Sequence, residues 1–203
     1  MNLVLLLIAF FSFVVASRAY AIRPRRKTDK ERDKPLKKDG YTVAVFLGSG
    51  GHTTEALKLL SALDFKQYRR RVYLVSSGDA LSIGKVRELE SVKGQAGDES
   101  VFDLIELPRA RRVHQSLLST PPTFIRSLAA AIYHISILPG YRGEPLADAL
   151  ILNGPGTCVS VVTAVWISRF IGLKSPRIIY IESFARVKTL SLSGKVLRRL
   201  VDR

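Results

Sequence analysis

A single cysteine, Cys158, in 203 residues excludes a disulfide framework and a cysteine-built zinc cluster, and neither a metal site nor a cofactor is expected. Acidic residues are scarce, 17 against 32 lysines and arginines, for a net charge of +15. An excess of that size suits a nucleic-acid binder. However, no RNA- or DNA-binding motif occurs and much of the basic charge is gathered in residues 23–40, so nucleic acid is not an expected partner. The chain also lacks the GxGxxG dinucleotide fingerprint and the P-loop GK[ST]. No repeat or low-complexity tract interrupts it beyond Tyr41, and no lysine or arginine precedes its first apolar run.

That apolar run extends from Leu3 to Ala16 with Ser12 as its one polar interruption. Ala19, Tyr20, Ala21 and Ile22 prolong it if Arg18 snorkels to the interface, bringing it near the roughly 20 residues a spanning helix needs. Small residues at Ala19 and Ala21 also fit a cleaved signal peptide. The charge asymmetry favours an anchor: Arg18, Arg23, Arg25, Arg26, Lys27 and Lys30 all follow the run, and the positive-inside rule puts that flank in the cytosol. Residues 1–22 are therefore expected to be a transmembrane signal anchor. Residues 23–40 are expected to be a basic tether, charged, interrupted by Pro24 and Pro35 and suited to anionic headgroups. Residues 41–203, about 160 residues, are the size of one domain.

Within that domain the organising stretch is Tyr41–Thr54. Thr42 to Leu47 is a β-branched, apolar run of the kind buried on both faces of a parallel sheet. Gly48, Ser49, Gly50 and Gly51 form a turn, and Thr53 or Thr54 is positioned to cap a helix whose apolar face is Ala56, Leu57, Leu59, Leu60 and Leu63. A strand, a glycine turn and a helix N-terminus in series make an anion site, because free N–H groups and the positive end of the helix dipole point at whatever lies over the glycines. His52 stands at the rim, able to bind or to carry a proton. The same pattern also occurs in a ligand-free strand-to-helix turn.

Further strands are predicted at Arg71–Ser76, Val101–Leu107, Asp148–Asn153 and Arg177–Ile181, alternating with helices, one beginning near Gly78–Asp79 and others over Phe124–Leu138, Val159–Ile171 and Gly194–Leu200. That is the doubly wound α/β pattern, in which ligands gather at the carboxyl ends of the strands. Lys93–Ser100 reads as a surface loop. Pro108–Ser116 follows the third strand, so Arg109, Arg111 and Arg112 reach the ligand edge as phosphate clamps, membrane contacts or solvated charges. Asn153–Gly156 repeats the glycine-turn logic with Thr157 as cap, and Glu182 and Ser183 emerge from the fifth strand. The apolar Phe124–Leu138 is either deeply packed or faces lipid, with His134 structural.

FLGSGGHT (Phe46–Thr53), the arginine loop Pro108–Ser116, NGPGTC (Asn153–Cys158), YIESFAR (Tyr180–Arg186) and LSLSGK (Leu190–Lys195) occur in this order behind an N-terminal anchor. On these motifs the chain resembles, over nearly its whole length, the membrane-anchoring, acceptor-side subunit of the two-component endoplasmic reticulum UDP-N-acetylglucosamine (UDP-GlcNAc) transferase. It is likewise similar to the N-terminal half of the bacterial peptidoglycan GlcNAc transferase. The resemblance implies a Rossmann-like, GT-B N-terminal half and a separate soluble partner that binds UDP-GlcNAc. The acceptor would be a dolichol-linked diphosphosugar of N-glycan assembly, met at the endoplasmic reticulum and the continuous nuclear outer membrane.

It also implies that Gly48, Ser49, Gly50, Gly51 and His52 face the acceptor diphosphate. Thr53, Arg109, Asn153, Gly154, Gly156, Thr157 and Ser183 are further candidates for binding it, with His52 and Glu182 as candidate catalytic groups. The chain departs from the family at Arg112 and His114, where an acid and a glycine are expected. It also stops at Arg203, where the family runs on through a further strand and tail, which leaves both a native and a truncated C-terminal end open. Two other readings stand beside this one: a self-sufficient nucleotide-dependent Rossmann enzyme, which would want an acid after the second strand where Ser76, Ser77, Gly78 and Asp79 stand, and a purely structural membrane tether.

Overall fold

The computed structural model describes residues 3–24, 37, 39–93, 101–111, 115–116, 119–154, 156–184 and 189–202. Most of the expected tether, the Lys93–Ser100 loop beyond Lys93, and the divergent Arg112 and His114 lie outside the described residues. Helix α1 (Leu3–Ala21) is 19 residues long with no buried residue and is long and apolar enough to cross a membrane. At 1.5 Å per residue it reaches about 28 Å, close to a bilayer's hydrocarbon thickness.

Five parallel strands follow: β1 (Thr42–Leu47), β2 (Arg70–Ser76), β3 (Val101–Leu107), β4 (Ala149–Asn153) and β5 (Arg177–Tyr180), in the spatial order β3-β2-β1-β4-β5. Helices α2 (Gly51–Ser61) and α3 (Ala80–Lys93) follow β1 and β2. After β3 come α4 (Thr120–Ile132), a π-helical turn (Tyr133–Ile137) and the short α5 (Leu138–Tyr141). Helix α6 (Thr157–Phe170) follows β4, and α7 (Leu192–Leu197) follows β5.

The sheet separates two cores, and the period of two along β1 assigns its residues to them. Val43, Val45 and Leu47 pack with Leu57, Leu60, Tyr73, Val75 and Val86 on one side. Ala44 and Phe46 pack with Leu74, Ile135, Leu152, Val161, Val165 and Ile178 on the other. Burial on both faces explains why β1 reads as an unbroken apolar run. The long helical segment begins four residues earlier than expected, at Thr120, because Pro121 and Pro122 fit the first turn, where no N–H bond is lost. Its inner side is built from small residues: Ser136 Oγ donates to Ala164 O (3.1 Å) and Ser168 Oγ bonds Ser136 Oγ (2.6 Å), bringing the π turn against α6. Its outer side is apolar and exposed at Ile125, Tyr133 and Ile137. The segment is thus packed along one stripe only.

Candidate functional site

Chain order reverses between β1 and β4. Strands β2 and β3 extend to one side of β1, and β4 and β5 lie on the other. Such a switch point opens a crevice at the carboxyl ends of the strands, and both glycine turns meet there. Gly48 N donates to Asn153 O (2.9 Å), and a Cβ on Gly48 would lie 2.7 Å from Asn153 O and 2.8 Å from Gly154 Cα. Gly154, at φ +147°, has no room either, since its Cβ would meet Gly48 Cα at 2.9 Å. Here the glycines let two backbones touch. Gly50 (φ +70°), Gly51 and Gly156 differ: a Cβ on any of them meets nothing within 4 Å. Two positions therefore join the turns and three border open space. Ser49 is exposed on the first turn, and Pro155 lies outside the described residues.

Neither threonine cap forms as expected. The N-cap of α2 is Gly50 and that of α6 is Gly156, without a side-chain bond to the helix. Buried Thr53 instead donates from Oγ1 to Gly48 O (2.8 Å) and bonds Ser82 Oγ (2.6 Å), fastening the first turn to α3. Thr157 Oγ1 accepts from Ala110 N (3.2 Å), fastening the loop after β3 to the second turn. With no side chain capping the first turns of α2 and α6, their leading N–H groups are left for solvent or a ligand.

The side chains at the crevice form a continuous relay. His52 Nδ1 lies 2.7 Å from Asn153 Oδ1, Asn153 Nδ2 donates to Glu55 Oε2 (3.1 Å), and Ser183 Oγ and Phe184 N donate to Glu55 Oε1 (2.9 and 3.2 Å). Burial alone would raise the Glu55 pKa, but the hydrogen bonds from Asn153, Ser183 and Phe184 and the nearby His52 outweigh it and hold the carboxyl below its usual range. This fixes a tautomer. An ionised carboxylate only accepts, so Asn153 must turn its NH2 to Glu55 and its oxygen to His52. His52 then donates through Nδ1, and in the neutral ring the lone pair is on Nε2. Sequence reasoning singled out His52, Asn153 and Ser183 but missed Glu55, which joins them. Its signal was its place three residues after His52, one helical turn on and on the same face.

The remaining candidates divide. Arg109 lines a cavity of about 210 Å³ with Ser77, Pro108, Thr123 and Arg126, beside the crevice-facing loop after β3. Arg111 is turned back, donating to Gln115 O (2.7 and 2.9 Å). Glu182 is used elsewhere: its Oε2 accepts from Ser191 N (2.9 Å) and Ser191 Oγ (3.0 Å), and Ser191 caps α7 through Gly194 N (2.9 Å). Asp79 is engaged as well, accepting from Ser82 N (3.1 Å) and Ser82 Oγ (2.7 Å) at the start of α3, where a nucleotide-dependent enzyme would hold a ribose. Among the described residues no cluster of three or more His, Cys, Asp or Glu could hold a metal ion.

A parallel sheet with two glycine turns at its switch point and an apolar helix long enough to span a membrane defines a Rossmann-like unit with a candidate membrane anchor. Residues 43–203 match the family described as "Oligosaccharide biosynthesis protein Alg14 like", and the chain belongs to that family. It is 47% identical to the UDP-N-acetylglucosamine transferase subunit ALG14 of Cryptococcus neoformans over 179 residues, covering 87% of this chain and 77% of that one. The subunit of the same name from Schizosaccharomyces pombe is 42% identical (94% and 85% covered), and the human one 34% identical (81% and 74% covered).

Proposed function

We propose that this chain is the membrane-anchored, acceptor-binding subunit of a UDP-GlcNAc transferase. It recruits a soluble partner carrying the UDP-GlcNAc site to the cytosolic face of the endoplasmic reticulum, where GlcNAc is passed to GlcNAc-diphospho-dolichol. The relatives' printed names support the transferase, and α1 with the basic residues behind it supports the membrane. The observation that carries the acceptor site is the relay from Glu55 through Asn153 to His52 beside the open space over Gly50, Gly51 and Gly156. The acceptor's diphosphate sits over those glycines, against the N–H groups opening α2 and α6, with Arg109 on the flank. His52 Nε2 takes the proton of the acceptor hydroxyl as that oxygen bonds the donor sugar's C1 and UDP leaves with the electron pair of the broken C1–O bond. In the neutral ring the relay holds the proton on Nδ1 and turns the Nε2 lone pair to the crevice.

Transfer by the full chain in membranes, with and without the soluble partner, tests this reading. The chain alone is expected to transfer no GlcNAc, since the described residues build one Rossmann-like unit. With the partner, His52→Ala is expected to lower kcat by about 10²–10⁴ with a smaller change in KM. A change confined to KM would make His52 a binding group, and robust transfer without the partner would overturn the proposal. A self-sufficient nucleotide enzyme is disfavoured by Asp79, whose carboxylate caps α3.

A further inference from the structure

Arg18 lies within α1, one turn before its end, in a helix otherwise built to sit in hydrocarbon. Its guanidinium donates from Nε to Phe170 O and from Nη2 to Arg169 O, both at 2.9 Å. Those are terminal carbonyls of α6, at the negative end of its dipole, where a forked cation satisfies two acceptors at once. The helix is fixed at that end. Gly172 (φ +85°) breaks it, Gly172 N and Leu173 N donate back to Arg169 O and Ser168 O (3.2 and 2.8 Å), and the Arg169 side chain is held by Asp202 (2.6 Å) and Pro176 O (2.9 Å).

The surface around this contact is apolar and uncovered. Ile171 is 61% exposed, Phe170 38% and Tyr141 88%. Tyr141 belongs to the same patch, because its neighbour Gly140 sits against Leu173 (3.3 Å from an added Cβ) and Lys174 Nζ donates to Gly143 O (3.0 Å). Exposed Arg142 follows Tyr141 in the chain, and just beyond α1 the Arg23 guanidinium covers the exposed Tyr20 ring at 5.3 Å. Aromatic and aliphatic groups ringed by lysine and arginine beside the end of a membrane-length helix have the composition of a membrane interface.

From this junction we infer that Arg18 locks the anchor onto the carboxyl end of α6 and lays Phe170, Ile171 and Tyr141 on the headgroup layer that α1 leaves. The partner of this surface is the phospholipid bilayer itself. Arg18 lies about 22 Å along α1 from Leu3, near the polar edge of a roughly 30 Å core, and whatever it bonds is held at that depth. The domain therefore rests on the membrane in one orientation. This inference rests on the proposal that α1 spans the membrane.

The test uses the full chain in phosphatidylcholine vesicles carrying a shallow spin-labelled lipid as quencher. A fluorophore is placed on one introduced cysteine at a time: Ile8→Cys, Ile171→Cys, Tyr141→Cys or Leu81→Cys. Cys158 is fully buried and does not compete for label. Leu81, 81% exposed on α3 across the sheet, is the dry-side control. Quenching is expected at 8, and at 171 and 141 at least about twofold above 81 if the patch meets lipid. Arg18→Ala should bring 171 and 141 down to the level of 81 and leave 8 unchanged. Quenching at 8 with none above control at 171 and 141, or Arg18→Ala without effect there, overturns the lock and leaves the anchor standing. An unquenched position 8 overturns both.

Discussion

Two polar clusters sit on the same sheet and serve opposite ends. Beside α3, Arg71 is fully buried and forks onto Glu90 (2.7 Å to each oxygen), Tyr73 donates to the same carboxylate, and Arg71 also donates to Tyr68 O and Arg69 O (2.9 and 3.1 Å). Every group is answered from within, and burial together with the Glu90 contact drives the Tyr73 pKa far upward. At the switch point, His52, Asn153 and Glu55 are linked as tightly, yet the cluster is open at one end, with no partner for His52 Nε2 among the described hydrogen bonds. The first cluster has the stronger charges and the larger shift and is closed to any ligand. A perturbed ionisable group therefore marks a site only where a valence is left over.

Breaking the closed cluster should have the largest effect, and on stability alone. Arg71→Leu leaves the Glu90 carboxylate and Tyr73 hydroxyl buried without their cation, a loss of about 3–5 kcal/mol and of about 10 °C in Tm for a domain this size. Thermal unfolding measures it. Transfer per folded molecule, assayed with the partner at low temperature, should be unchanged; a selective loss of kcat would mean the two clusters are coupled.

The glycines sharpen the comparison. Gly48→Ala drives a Cβ into two backbone atoms and should cost about 1–3 kcal/mol while prising the turns apart, so stability and transfer fall together. Gly51→Ala fills open space at the first position of α2, where alanine is the better helix former. Stability should hold or rise slightly, whereas transfer should fall about tenfold or more if a diphosphate occupies that space. Chemical denaturation alongside a transfer assay separates the pair. Full activity in Gly51→Ala would leave the first turn without a ligand.

The sheet was legible because each strand is a short, mostly apolar run ended by turn residues, and β1, β-branched and buried on both faces, is the plainest. The glycine turns were legible as turns, but not which glycines touch. That depends on β1 and β4 being neighbours, which fixes Gly48 against Gly154 across more than a hundred residues of chain. The cap assignments failed for a related reason. Thr53 and Thr157 each have a long-range partner, Ser82 and Ala110, that outcompetes the local helix N–H groups. Glu55 was passed over because a glutamate in a helix is ordinarily a solvated face, and only the approach of Asn153 and Ser183 gives it a role. Glu182 was singled out for its position after β5, where the competing partner, the Ser191 cap of α7, lies only nine residues away.

The smallest expected effect on stability bears most directly on the open cluster. Glu55 accepts from three donors, whereas Glu55→Gln has one acceptor oxygen. Placing that oxygen on Ser183 and Phe184 keeps two donors satisfied and turns the new NH2 toward Asn153, which must then flip to present its own oxygen. The flip puts the Asn153 NH2 against His52 Nδ1, making that nitrogen the acceptor and moving the ring proton to Nε2. Stability at neutral pH should change by no more than about 1 kcal/mol, since the carboxylate is half-exposed, yet the base is lost and kcat should fall about tenfold or more. Nitrogen NMR of labelled histidine should report the exchanged tautomer. Because the folded Glu55 carboxyl titrates below its ordinary value of 4.5, the stability it contributes is complete above that pH and is lost as pH falls further, through the depressed folded value. Glu55→Gln should remove that acid-dependent loss from the pH profile of thermal unfolding. An Nδ1-protonated His52 in the variant would show that Glu55 does not act through Asn153.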